Sequence, residues 1–312
     1  MPIPDFLKYL KNERRVSPHT LTAYTTDLQQ FVDFMELRYE QTDLVSVHGK
    51  QIRQWIVYML ENGKTPRTTH RKLATLKAFY KYLRERKGLE TDPMLKVIAP
   101  KVGKRLPSYV EEPKMEILLE DIEFPDTYSG QRDYLMIELM YMTGLRRSEL
   151  IQLTERDIDY SNGMMRISGK GKKQRLVPLV GDMTDRIQAF LTVKRSTFPD
   201  AEYKELFYTD KGKPLYPKLV YNIVNRYLSK VTTTERRSPH TLRHSFATHL
   251  SNNGAELNAV KELLGHSSLA STQVYTHNSI EQLKKAYKQA HPKAEKLIPT
   301  PQETDDNKQI DS

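Results

Sequence analysis

Ser238-Pro239-His240-Thr241-Leu242-Arg243-His244 begins as a helix begins. A serine hydroxyl caps a free backbone N–H, and the following proline supplies a helical φ at a position with no hydrogen bond to lose. The first five of these residues recur as Ser17-Pro18-His19-Thr20-Leu21, so the pentapeptide is at base a helix-start device. Thr65-Pro66 repeats the cap and proline a third time. What separates the two pentapeptides is the position three after the histidine, Arg243 in one and Thr22 in the other. Positions i and i+3 share a helix face, so His240 and Arg243 can converge on one anion. His19 has no such partner and is read as a capping or packing residue.

Outward from these starts, the chain reads as mainly α. After Ser17, the apolar positions Leu21, Tyr24, Leu28, Phe31, Phe34 and Met35 keep helical spacing. Residues 47–61 form a second segment around Ile52, Trp55, Ile56, Tyr58, Met59 and Leu60, stopped by Asn62-Gly63. The segment from Thr65 to Gly88, with Lys64 just before it, carries Arg67, Arg71, Lys72, Lys77, Lys81, Arg84, Arg86 and Lys87 against one acid, Glu85. Its apolar positions are Leu73, Leu76, Phe79, Tyr80 and Leu83. A solvated surface helix usually mixes both signs for local pairing, whereas a face of one sign suits phosphates. Lys64, Arg67, Arg71, Lys72 and Lys77 are therefore expected to contact nucleic acid.

Residues 1–90 make a first helical domain in this reading. Residues 91–109 hold Asp92-Pro93 and Ala99-Pro100-Lys101-Val102-Gly103-Lys104-Arg105-Leu106-Pro107, and read as an extended basic connector that adds Lys101, Lys104 and Arg105 to the cationic surface. A second domain over 110–294 contains one strand-rich patch: Asp157–Tyr160, Met164–Ser168 and Gln174–Leu179, the last two joined by Gly169-Lys170-Gly171-Lys172-Lys173. Helices are predicted near 181–196, 217–230, 239–253, 256–264 and 279–290. The polar tail, 295–312, holds Glu303, Asp305, Asp306 and Asp311 and is expected to be disordered.

With 312 residues, 38% hydrophobic and 28% charged, the composition suits a soluble chain of two cores. A net charge of +10 favours a polyanionic partner, nucleic acid or an acidic membrane surface. No apolar run approaches the roughly 20 residues that cross a bilayer. Met1 to Asp5 show neither the basic nor the apolar region of a secretion signal, so the expected compartment is the cytoplasm. The absence of cysteine excludes disulfides, thiolate catalysis and cysteine-held metals.

Four clusters carry candidate chemistry. In Thr143-Gly144-Leu145-Arg146-Arg147-Ser148-Glu149-Leu150 a glycine ends one helix and an arginine starts the next, where backbone N–H groups also favour an anion. Lys170 sits on the glycine-flexed hairpin tip, from which an ammonium can reach a phosphate or give up a proton. His240 and Arg243 form the third cluster. The fourth is Leu263-Leu264-Gly265-His266-Ser267 with Thr272-Gln273-Val274-Tyr275-Thr276-His277. A metal site is the competing reading, since His240 and His244 stand at i and i+4. Arg243 would place a permanent cation beside that metal, and the glutamate of the metalloprotease pattern is missing. His244 and His249 are read as core or supporting residues. Two arginines, a lysine, two histidines and a tyrosine are what phosphodiester transfer without a metal or other cofactor requires. The guanidiniums clamp non-bridging oxygens, a base frees the phenol, and an acid serves the leaving oxygen.

These clusters, in this order, resemble the tyrosine recombinase (phage integrase) family, and the Xer branch most closely. The likeness spans roughly residues 5 to 294 and includes Gly169-Lys170-Gly171-Lys172-Lys173-Gln174-Arg175-Leu176-Val177-Pro178 and the closing His291-Pro292. It implies a helical, SAM-like core-binding domain and a mostly helical catalytic domain with a small three-stranded antiparallel sheet. It places the catalytic set on Arg146, Lys170, His240, Arg243 and His266, with Tyr275 as nucleophile forming a 3′-phosphotyrosine. It also implies double-stranded DNA as substrate and a tetramer, of one chain or with a sister recombinase, that passes through a Holliday junction. Chromosome-dimer resolution at cell division with a septal DNA translocase is the usual task of the branch, on the nucleoid and away from membranes. A mobile-element integrase would share the chemistry, but many of those carry an arm-binding domain before the core-binding one, and here residue 1 lies almost at the first core helix. A DNA-binding homologue without activity is disfavoured because all six positions are filled.

Overall fold

In a computed structural model of the chain, the described residues are 2–103, 108–169, 174–202, 204–265, and Tyr287, Ala290 and His291. The chain divides after Arg105 into two compact units. The first is all helix: α1 (Ile3–Asn12), α2 (Pro18–Tyr39), α3 (Gly49–Glu61) and α4 (Pro66–Lys87). The predicted caps are formed, the Ser17 hydroxyl accepting from the Thr20 amide at 3.2 Å and the Thr65 hydroxyl from the Thr68 amide at 3.3 Å. The apolar stripes of the helices meet in one core in which Phe31, Trp55, Phe79 and Tyr80 are fully buried. Burying each such side chain contributes about 1.5–3 kcal/mol.

Residues 91–100 were expected to lie extended between domains, yet they fold back on this unit. Met94, Val97 and Ala99 pack against its core, Asp92 pairs with Arg84 at 2.8 Å, and the Pro100 carbonyl is 2.6 Å from His70 Nε2. Three apolar contacts and two polar anchors outweigh the preference of a proline-rich stretch for an open path. Lys101, in the continuation, is exposed, whereas Lys104 and Arg105 lie outside the described residues.

The second unit begins with α5 (Glu112–Glu120) and α6 (Tyr128–Thr143), then α7 (Arg147–Gln152). An antiparallel sheet follows, β1 (Ile158–Asp159), β2 (Met164–Ser168) and β3 (Gln174–Pro178), in the order β1-β2-β3. Met165 pairs with Val177 and Ser168 with Gln174 in an antiparallel register. Then come α8 (Met183–Thr197), α9 (Pro217–Val231), α10 (Pro239–Asn252) and α11 (Leu257–Leu264). The helix expected at 279–290 and the acidic tail fall almost wholly outside the described residues.

Helix α6 is buried over most of its length, apolar from Leu135 to Met142 but for Glu138, and packs against α8 and α10. It stops at Gly144, whose φ of +61° favours glycine and whose hypothetical Cβ would lie 2.5 Å from Phe246 of α10. That close approach sets the start of α7 directly beside α10. The Ser238 hydroxyl caps α10 at 3.4 Å from the Thr241 amide, and buried Ser245 accepts the Val110 amide at 2.8 Å. The architecture is mainly α with a small antiparallel sheet, as the capped starts and the hairpin predict.

Candidate active site

Arg146 stands in extended conformation just before α7, and Glu149 turns back to meet it. One Glu149 oxygen accepts the Arg146 backbone N–H at 2.8 Å and the other accepts its Nη1 at 2.7 Å. The backbone donor that the sequence offered to an incoming anion is thus already taken by a carboxylate. Glu149 is buried and also receives a two-pronged bond from Arg175 of β3, 2.9 Å to each oxygen. Burial pushes the Glu149 carboxyl up, but the Arg175 and Arg146 bonds outweigh it and hold the carboxyl below its usual range.

Arg243 is buried on α10, and its guanidinium donates to the carbonyls of Gly144 and, at 2.5 Å, Leu264. It has no carboxylate in ion-pair reach among the described residues. Burial first, and then the cations of Arg146 and Arg175, push it down to about 10, with Glu149 opposing. It stays charged at neutral pH. His240, one turn before it, is exposed. Partial burial, then the cations of Arg147, Arg243 and Arg146, lower its imidazole below the ordinary 6.5, so the ring is neutral at pH 7. A neutral imidazole beside gathered guanidiniums can accept a proton, and the guanidiniums can bind an anion.

The structure therefore brings together Arg146, Arg243 and His240. Lys170, His266 and Tyr275 lie outside the described residues. His249 is a core residue, its Nδ1 2.9 Å from the buried Tyr141 hydroxyl. Two residues of the site escaped the sequence reading. Glu149 was legible as an acid three residues after Arg146, the spacing of a capping box. Arg175 was legible as a cation on the same strand face as the buried Val177, where a charge must find a partner.

The Phage integrase family profile matches residues 110–282, and the profile "Phage integrase, N-terminal SAM-like domain" matches residues 3–87. The first of these alone covers more than half of the chain. The chain belongs to the phage integrase family. Among curated proteins, the chain is 37% identical to tyrosine recombinase XerC of Chlorobaculum parvum, over 93% of this chain and 94% of the relative. It is 34% identical to tyrosine recombinase XerD of Staphylococcus saprophyticus, over 94% and 99%. Among solved structures it is similar to XerH site-specific recombinase in a pre-cleavage complex with difH substrate, with a TM-score of 0.63, 25% identity, and 85% and 79% of the two chains covered. As a tyrosine recombinase it is a site-specific recombinase, an enzyme that cuts and rejoins DNA.

The SAM-like unit of this integrase carries the cationic helix, and there one expectation is corrected. Lys72 is 4% exposed and its Nζ lies 2.7 Å from Asp27, itself 1% exposed, and 2.5 Å from Gln30. It is a buried partner of α2 and presents no charge to a ligand. Arg71 is exposed but tied to the same Asp27, with a second bond of 2.8 Å. Lys64, Arg67 and Lys77 are exposed, with no carboxylate in ion-pair reach among the described residues. Further along α4 the cations are matched by acids from elsewhere, Arg86 by Glu13 at 2.9 Å and Lys87 by Asp5 at 2.6 Å. The exposed cations of this stretch without an ion-pair partner among the described residues therefore run from Lys64 to Lys77.

Proposed function

We propose that this recombinase opens a DNA strand by attack of the Tyr275 phenol oxygen on a backbone phosphorus. The bond from phosphorus to the 5′ oxygen breaks, and a 3′-phosphotyrosine forms that keeps the ester's energy for the reverse joining step. His240 accepts the phenol proton and Lys170 gives one to the departing 5′ oxygen. Arg146 and Arg243 hold the non-bridging oxygens as their charge grows, and His266 donates to one of them. One observation carries this reading: the guanidiniums of Arg146, Arg175 and Arg243 are gathered around a single carboxylate, Glu149. That excess of fixed positive charge is relieved when a phosphate enters. The neutral state of His240 fits its part as base.

In this proposal residues 1–90 are the core-binding domain, 91–109 the connector, 110–294 the catalytic domain and 295–312 an acidic extension. Lys64, Arg67, Arg71, Lys77 and Lys101, with Lys104 and Arg105, contact the DNA backbone. Four protomers, of this chain alone or with a sister recombinase, exchange strands at a double-stranded site through a Holliday junction. The substrate is the dimeric chromosome at cell division, handled in the cytoplasm on the nucleoid with a septal DNA translocase as partner. Similarity to XerC and XerD along nearly the whole chain supports this task. Among the described residues no helix is long and apolar enough to cross a membrane.

Trapping covalent complexes of the native chain in cells and sequencing the attached DNA tests both levels. Tyr275→Phe should bind the same DNA and yield no adduct; an adduct from that variant overturns the assignment of the nucleophile. Recovery of one chromosomal locus supports dimer resolution, and recovery of mobile-element ends overturns it in favour of integration.

A further inference from the structure

Helix α11 ends at Leu264; the Gly265 amide caps the Lys261 and Glu262 carbonyls, and those that follow, from Leu263 on, have no partner within the helix. Three consecutive ones are each met by a different arginine. Leu263 accepts Arg175 Nε at 2.8 Å, Leu264 accepts Arg243 at 2.5 Å, and Gly265 accepts Arg146 at 3.3 Å. The negative end of the helix dipole favours cations there. The three arginines come from β3, from α10 and from the residue before α7, so the end of α11 is the point at which these elements are registered to one another.

Arg175 differs from the other two. Its side chain is 6% exposed, against 36% for Arg146, and it spends its donors on protein groups alone, both oxygens of Glu149 and the Leu263 carbonyl. Glu149 in turn holds Arg146 by backbone and side chain. Gly265, with φ +64°, passes so close that a Cβ there would be 3.1 Å from Arg175 Cδ. Arg175 thus joins three things: strand β3, the carboxylate that aims Arg146, and the last turn of α11.

We propose that Arg175 is a positioning residue for strand cleavage, which fixes the Arg146 guanidinium and the end of α11 without touching the phosphate. The inference rests on the reading above, in which Arg146 and Arg243 grip the scissile phosphate. A buried fork that satisfies both carboxylate oxygens fixes orientation as well as charge, which a lysine at the same place does not.

The test uses the full chain and a nicked duplex carrying the sequence recovered by covalent trapping, with single-turnover cleavage, DNA affinity and thermal melting measured together. Arg175→Met should slow cleavage by up to about 10²-fold, the cost of misplacing reacting groups by about 1 Å, while affinity changes by no more than about threefold. The charged groups facing Glu149 are Arg146 from its own turn, Arg175 from β3 and Arg243 from α10. Without Arg175, burial drives the Glu149 carboxyl up, so cleavage by the variant should gain a limb that rises with pH as Glu149 ionises. Adding Glu149→Gln should erase that limb. Arg175→Lys should recover part of the rate and move the limb back to lower pH. Wild-type rate and pH profile in Arg175→Lys and in the folded fraction of Arg175→Met overturn the proposal, as does a wild-type profile in Arg175→Lys if Arg175→Met does not fold. Arg243→Ala in the same assay separates the two readings. Full cleavage by Arg243→Ala removes the phosphate grip itself, whereas its loss beside intact Arg175 variants removes only the positioning role.

Discussion

Asp27 in α2 and Glu149 at the start of α7 are both buried carboxylates that hold two cations. Asp27 takes Lys72, Arg71 and the Thr75 hydroxyl at 3.0 Å, and no third cation joins them among the described residues. Glu149 takes Arg175 and Arg146, and Arg243 stands beside them with only backbone carbonyls as partners. In the first cluster the one cation in excess is the exposed Arg71, whose charge water screens, so the buried charges of Asp27 and Lys72 match and tie two helices together. The second keeps more positive charge than its carboxylate offsets, in a place where burial makes that charge costly. A polar cluster in a core is thus structural when its charges are matched and receptive when they are left in excess.

The largest expected effect follows from the matched cluster. Asp27→Ala leaves Lys72 buried without its counter-charge and should cost about 3–5 kcal/mol of stability, read by urea unfolding; a loss near zero would show that Asp27 is not what keeps Lys72 inside. Arg243→Ala, in the unmatched cluster, should slow single-turnover cleavage by about 10²–10³ with DNA affinity nearly unchanged. Lys72→Met should cleave at the native rate once its folded fraction is counted. If both variants lose cleavage alike, the two clusters do not differ in kind.

A pH profile tests the excess charge more gently. Because burial and the cations of Arg147, Arg243 and Arg146 lower the His240 imidazole, its proton is lost below the ordinary 6.5. Cleavage should therefore climb with pH through an acid limb centred below that value, and His240→Gln should remove the limb. A limb centred above 6.5 would mean that an anion, not a group of cations, governs the ring. The smallest effects belong to the surface: Arg67→Ala and Lys77→Ala should each lower the slope of log affinity against log salt by about one, while Lys72→Met leaves it unchanged.

Much of this was open to a reader of the chain. Ser17, Thr65 and Ser238 each announce a helix through a side chain and a proline one residue away, and all three caps form. The pairing of β2 with β3 follows from β-prone runs on either side of a glycine-rich stretch. Arg146, His240 and Arg243 lie near enough for the two guanidiniums to act on the imidazole. Lys72 was misjudged because its counter-charge lies 45 residues away on another helix. The path of residues 91–100 was misjudged because its anchors, Arg84 and His70, stand on α4.

Cap chemistry, apolar period and net charge act over a few residues or over the whole chain, so the sequence alone determined the helices, the hairpin and a basic character suited to DNA. Which cations are spent and which are left over was decided only when distant segments packed. Pairing depends on burial, and burial brings Asp27 to Lys72 and the last carbonyls of α11 to Arg175, Arg243 and Arg146.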